Sequence, residues 1–119
     1  MAKTIESILI SYLIRKGYKA YGEEPEKPPR EYLVVGKVGS RNENHIDGAI
    51  MTIRSYSGTM AQAASLNKQV KRLMLYDFPE LGDIVGVQLN SDYPQADPET
   101  KRYRYQAVYD ITYYENYEE

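Results

Sequence analysis

The residues best equipped for chemistry in this chain are few and scattered. His45 is its one histidine and stands in the polar stretch 39–45, so a histidine-based metal site or a histidine-assisted nucleophile lacks its second member. Carboxylates gather at Glu23, Glu24 and Glu26 and again at Asp92, Asp97 and Glu99, in loop-like sequence without the apolar surroundings that lift one carboxyl for acid catalysis. Solvation is their reading, and a weak divalent-cation site over 92–99 would depart from EF-hand spacing. The glycines Gly36, Gly39, Gly48, Gly58, Gly82 and Gly86 never form a phosphate-cradling run followed by Lys-Ser or Lys-Thr. No cysteine is present, which removes disulfides and thiolate metal sites and suits a reducing compartment. The expectation is a protein that is not an enzyme and takes no metal or cofactor.

The richest segment is 101–114, where Arg102 and Arg104 interleave with Tyr103 and Tyr105. Such interleaving resembles a stacking platform for single-stranded nucleic acid. On a strand, however, Tyr103, Tyr105, Ala107, Tyr109, Ile111 and Tyr113 fall on one face, and Arg102, Arg104, Gln106, Asp110 and Thr112 on the other. Rings and charges are thereby separated, and 15 basic against 17 acidic residues give no general pull on phosphate. No specific nucleic-acid binding is expected. The alternative kept open is a small binding module that uses the exposed side of this strand for a peptide or single-stranded nucleic acid.

The elements that must position these residues follow from pattern. Residues 4–17 read as a helix with Thr4 as N-cap, Glu6 in the first turn and Gly17 at the stop. Ile5, Ile8, Leu9, Tyr12 and Leu13 form its apolar stripe, while Ile10 and Ile14 make a second strip that needs a cover, either the following loop or another subunit. Residues 19–31 are acidic and proline-rich and read as an extended connector. Strands are predicted over 32–38, 46–56, 84–89 and 101–114, with 39–45 closing a hairpin and 90–100 a long loop. Thr59 to Gln62 has a capping-box pattern, after which Ala63, Leu66, Val70, Leu73 and Met74 keep helical spacing to about residue 75. Lys68, Lys71 and Arg72 read as its solvated face. The expected fold is one α+β domain over 1–119, helix-strand-strand-helix-strand-strand, with a four-stranded, mostly antiparallel sheet and two helices packed on one face. No signal peptide or membrane-spanning stretch is expected.

Three passages together resemble the tail terminator proteins of long-tailed bacteriophages, the small minor tail proteins that close the end of the tail tube and meet the head. They are the strand, polar turn and alanine-rich helix at 50–63, the acidic turn and aromatic-basic strand at 97–113, and the opening helix from Ile5 to Leu13. The resemblance implies a structural virion protein assembled in the host cytoplasm and placed at the head–tail junction. Its partners would be copies of itself in a ring of six, the major tail tube protein and a head-completion or connector protein. Under that reading Ile10 and Ile14 are candidates for one subunit contact and Tyr113, Tyr114 and Tyr117 for the other, tyrosine being large, fairly stiff and able to keep its hydroxyl wet. Arg41 and Asn42 in the hairpin tip, Asp92, Tyr93 and Asp97 in the long loop, and Arg102 and Arg104 are candidates for contacts to the tube or connector.

Overall fold

The computed structural model describes residues 4–43, 46–99 and 102–114. Thr4 opens the first helix, α1 (Ile5–Arg15). Its hydroxyl accepts from the Ser7 amide at 3.1 Å while the Ser7 hydroxyl accepts from the Thr4 amide at 3.2 Å, a reciprocal cap on amides that a helix start leaves without partners. Gly17, at φ +98°, turns the chain left-handed after the helix, a conformation that strains any residue with a side chain. Ile5, Leu9, Tyr12 and Leu13 are buried, as their spacing predicts.

Beyond α1 the expectation of a four-stranded, mostly antiparallel sheet is corrected. The sheet is mixed and has five strands, β1 (Ala20–Tyr21), β2 (Tyr32–Glu43), β3 (Ile46–Ser57), β4 (Ile84–Pro94) and β5 (Tyr103–Tyr114), in the order β1-β2-β3-β5-β4. The added strand lies inside the segment read as a connector. Ala20 pairs with Leu33 and Tyr21 with Val34 in parallel, and the Leu33 amide donates to the Lys19 carbonyl at 2.8 Å. Two residues are too few to show an alternation, and burial of Ala20 beneath α1 is what fixes them. A parallel pair needs a crossover, which residues 22–31 provide with their prolines held clear of the ladder.

The remaining ladders are antiparallel, and β2 and β4 run longer than predicted. Most of the polar stretch 39–45 belongs to β2, and β4 runs on through Pro94, so the predicted loop 90–100 is half strand. A ladder whose two faces are both wet needs no apolar alternation, and the sequence pattern therefore gave no sign of it. The second helix, α2 (Met60–Tyr76), starts where Thr59 accepts from the Gln62 amide at 3.1 Å. Gln62 does not close a capping box; its side-chain oxygen accepts from Arg30 at 3.3 Å.

Both helices cover one face, α1 over β1 and β2, α2 over β3, β5 and β4. Leu33, Val35, Ala49, Met51, Ile53, Ala107, Tyr109 and Ile111 rise from the sheet into the same core as the helix stripes. Phe78, in a 3₁₀ turn after α2, meets the Tyr12 ring edge-on at a centroid distance of 5.0 Å. No described helix is long and apolar enough to cross a membrane.

Candidate functional site

On the sheet face away from the helices, strand register lines up Tyr32, Tyr56 and Arg104 directly opposite one another across β2, β3 and β5. The two tyrosine rings stack 4.5 Å apart and 5° from parallel, and the Arg104 guanidinium sits 5.9 Å from the Tyr56 ring centre while donating to the Tyr56 hydroxyl at 3.0 Å. Arg104 also meets the Asp97 carboxylate at 3.2 Å, with 13% and 10% of the two side chains exposed. Tyr32 donates to Glu24 and takes the Tyr21 ring edge-on, and Arg102 lies over the Tyr32 ring at 5.7 Å. Burial first, and then the bond to Glu24, push the Tyr32 hydroxyl above the ordinary tyrosine range, so it stays a donor at neutral pH.

Rings and guanidinium groups therefore do share a face, contrary to the expectation drawn from β5 alone. The tyrosines come from neighbouring strands. Tyr32 and Tyr56 are each only 1% exposed, because the crossover and the turn around Asp97 close over them. A base has no ring surface to stack on there, and the cluster acts as a clasp that holds the crossover and residues 95–99 to the sheet. The Gln95 and Asp97 amides add backbone bonds to the Arg104 and Arg102 carbonyls, and the Glu99 amide donates to Asp97 at 3.0 Å.

The other predicted contact residues are dispersed. Arg41 lies on β2 across Gly48, where a β-carbon would come within 2.7 Å of its guanidinium carbon. Asn42 donates to Asp47 at 2.6 Å, and Tyr93 accepts from Gln106 at 2.7 Å. Ile10 is half-buried against the core and approaches Gly22 of the crossover, so part of the second strip is covered by its own chain, while Ile14 stays 53% exposed. Tyr113 is 7% exposed and packs into the core, as its alternation with Ile111 requires. Tyr114 is exposed at the strand end. Tyr117, like His45, lies outside the described residues.

Asp92 is likewise drawn inward. On β4 it accepts from Lys71 of α2 at 2.6 Å and from Asn67 at 2.9 Å, and the Lys71 bond foremost holds its carboxyl below the ordinary aspartate range against the opposing effect of burial. A depressed native pKa stabilises the fold fully above the unfolded-state value near 3.9, and that contribution disappears as pH falls through the native value. Asp77, held down by Tyr12 and Lys16, acts with the same sign. The urea midpoint should therefore drop below about pH 4, and Asp92→Asn should flatten the drop. An acid slope unchanged by the substitution would remove Asp92 as its source.

Two residues that sequence reasoning missed stand at the sheet edges. Val38 is 69% exposed on β2, beyond the part that β1 covers, and Val85 is 48% exposed on β4, which has no strand outside it. Each sits where the register shifts, between Lys37 and Gly39 and between Ile84 and Gly86. A bulge turns an extra side chain out of the ladder and spoils regular edge pairing. Only the pairing register could have revealed them. Against known proteins, no family model and no curated protein matches this chain.

Proposed function

We propose that the chain is a structural ring subunit serving as a phage tail terminator. The observation that carries this reading is the exposure of Val38 and Val85 at opposite edges of the sheet. Identical subunits joined head to tail need two unlike patches, and closing the rotation turns such a contact into a ring. If the strand edges meet neighbouring subunits, the strand ends are left for axial partners. Arg41 and Asn42 lie at one end, level with Asp47 and Tyr113, and the clasped turn around Asp97 lies at the other, beyond the Pro94–Tyr105 pair.

The likeness of 50–63 and 97–113 to tail terminators supports six subunits, with one rim on the tail tube, ending its polymerisation, and the other toward a head-completion protein. The clasp suits that role by presenting its turn already ordered, which lowers the entropy lost when a late partner docks. Negative-stain images of the protein mixed with tail tube protein should show rings and tubes stopped at one end. Tubes that continue to lengthen in its presence would overturn the assignment.

A further inference from the structure

Along the flank of α2 that faces away from β4, three adjoining recesses form one groove between the helix, Tyr18 and the end of the crossover. Leu73 contributes apolar surface over the buried Leu66, and Tyr18 donates across it to Gln69 at 3.1 Å. Its charge is one-sided: Lys19, Arg30, Lys68 and Arg72 line it against the single carboxylate of Glu31. Among the described residues none of the groove's cations meets a carboxylate in an ion pair. Arg30 instead donates to the neutral Gln62 and lies across Gly58, where a side chain would displace it.

We infer that this groove receives the acidic segment 115–119 of a second copy of the chain, an inference that rests on the ring reading and names one of its contacts. The segment reads Glu-Asn-Tyr-Glu-Glu, with three carboxylates for the cations and Tyr117 for the apolar surface. At the Arg30 end of the groove, reach separates the second copy from the first. Tyr114 pairs with Ile46 at one end of the sheet, and the Arg30 end of the groove adjoins Ser57 at the other. At about 3.3 Å per residue β3 spans roughly 36 Å between those points, while five extended residues reach at most about 18 Å. The same chain's segment falls short of Arg30, and a neighbour's does not have to.

The test uses the chain carrying Glu115→Lys, Glu118→Lys and Glu119→Lys as receptor, so that no native segment competes, and a fluorescent peptide Tyr-Glu-Asn-Tyr-Glu-Glu as probe. Anisotropy should show saturable binding, weakened about tenfold or more when Lys68→Glu and Arg72→Glu are added. Both side chains are exposed, so the added substitutions leave the fold in place. The charge-inverted peptide Tyr-Lys-Asn-Tyr-Lys-Lys should prefer that doubly substituted receptor. Absent binding, equal binding to both receptors, or tighter binding of a single-stranded oligonucleotide would overturn the inference. Because the assay needs no assembly, rings seen by microscopy without peptide binding would sink the groove contact alone, and peptide binding without rings would sink the ring alone.

Discussion

Replacing Arg104 with methionine should destabilise the fold by about 3 kcal/mol, a large share of the roughly 5–15 kcal/mol that holds a domain together. The cause is the charge left behind. Asp97 is nearly enclosed beside Arg104, and removing the guanidinium takes its neighbouring cation from a carboxylate with little access to water. Asp97→Asn should cost a similar amount by stranding the cation, since the Tyr56 hydroxyl can accept its hydrogen bond and not neutralise it. The double variant Arg104→Met with Asp97→Asn should lose much less than the sum. Neither residue is then charged, and an asparagine oxygen can still accept from the Glu99 amide. A coupling of about 2 kcal/mol in a urea double-mutant cycle is expected. Strictly additive losses would mean that the clasp is not held by this pair. The single variants should also expose residues 95–99 to protease before the sheet unfolds, because Arg104 ties that turn to the Tyr32–Tyr56 stack.

The clasp also shows where the chain's pattern speaks and where it does not. Thr4 with its stripe of Ile5, Leu9, Tyr12 and Leu13, and the inward row Ala107, Tyr109 and Ile111, are set by local spacing against one apolar face, and both are legible residue by residue. Tyr32, Tyr56 and Arg104 come together only through the register of three strands, which no single segment encodes. The same limit hid β1, held by one buried alanine and a backbone bond, and the continuation of β2 to Glu43 and β4 to Pro94, where both strand faces are polar. Val38 and Val85 were hidden for a related reason. As sequence they are ordinary strand valines, and only a register shift makes each one an outward-facing side chain.

Those two valines give the sharpest test of a head-to-tail ring. Val38→Glu and Val85→Glu should each leave the monomer folded, since the side chains are exposed and lie outside the core, yet each should abolish rings. A carboxylate forced into a dehydrated apolar contact costs several kcal/mol, on the order of a hundredfold or more in that contact's affinity. The mixture discriminates between arrangements. If the Val38 edge of one subunit meets the Val85 edge of the next, each variant keeps one intact patch, and the intact patches are complementary. Mixed together they should form a dimer and stop, because both outward edges of that dimer carry the substitution. Sedimentation should show monomer for each variant alone and dimer for the mixture. Were Val38 instead to meet Val38 across a two-fold axis, the Val85 variant would already dimerise by itself. Rings persisting in the mixture would show that neither valine lies in the contact, and a mixture that stayed monomeric would show that the two edges do not meet. A dimer confined to the mixture is the outcome that requires two unlike edges, and copies joined through unlike edges form a ring when the rotation closes and a filament when it does not.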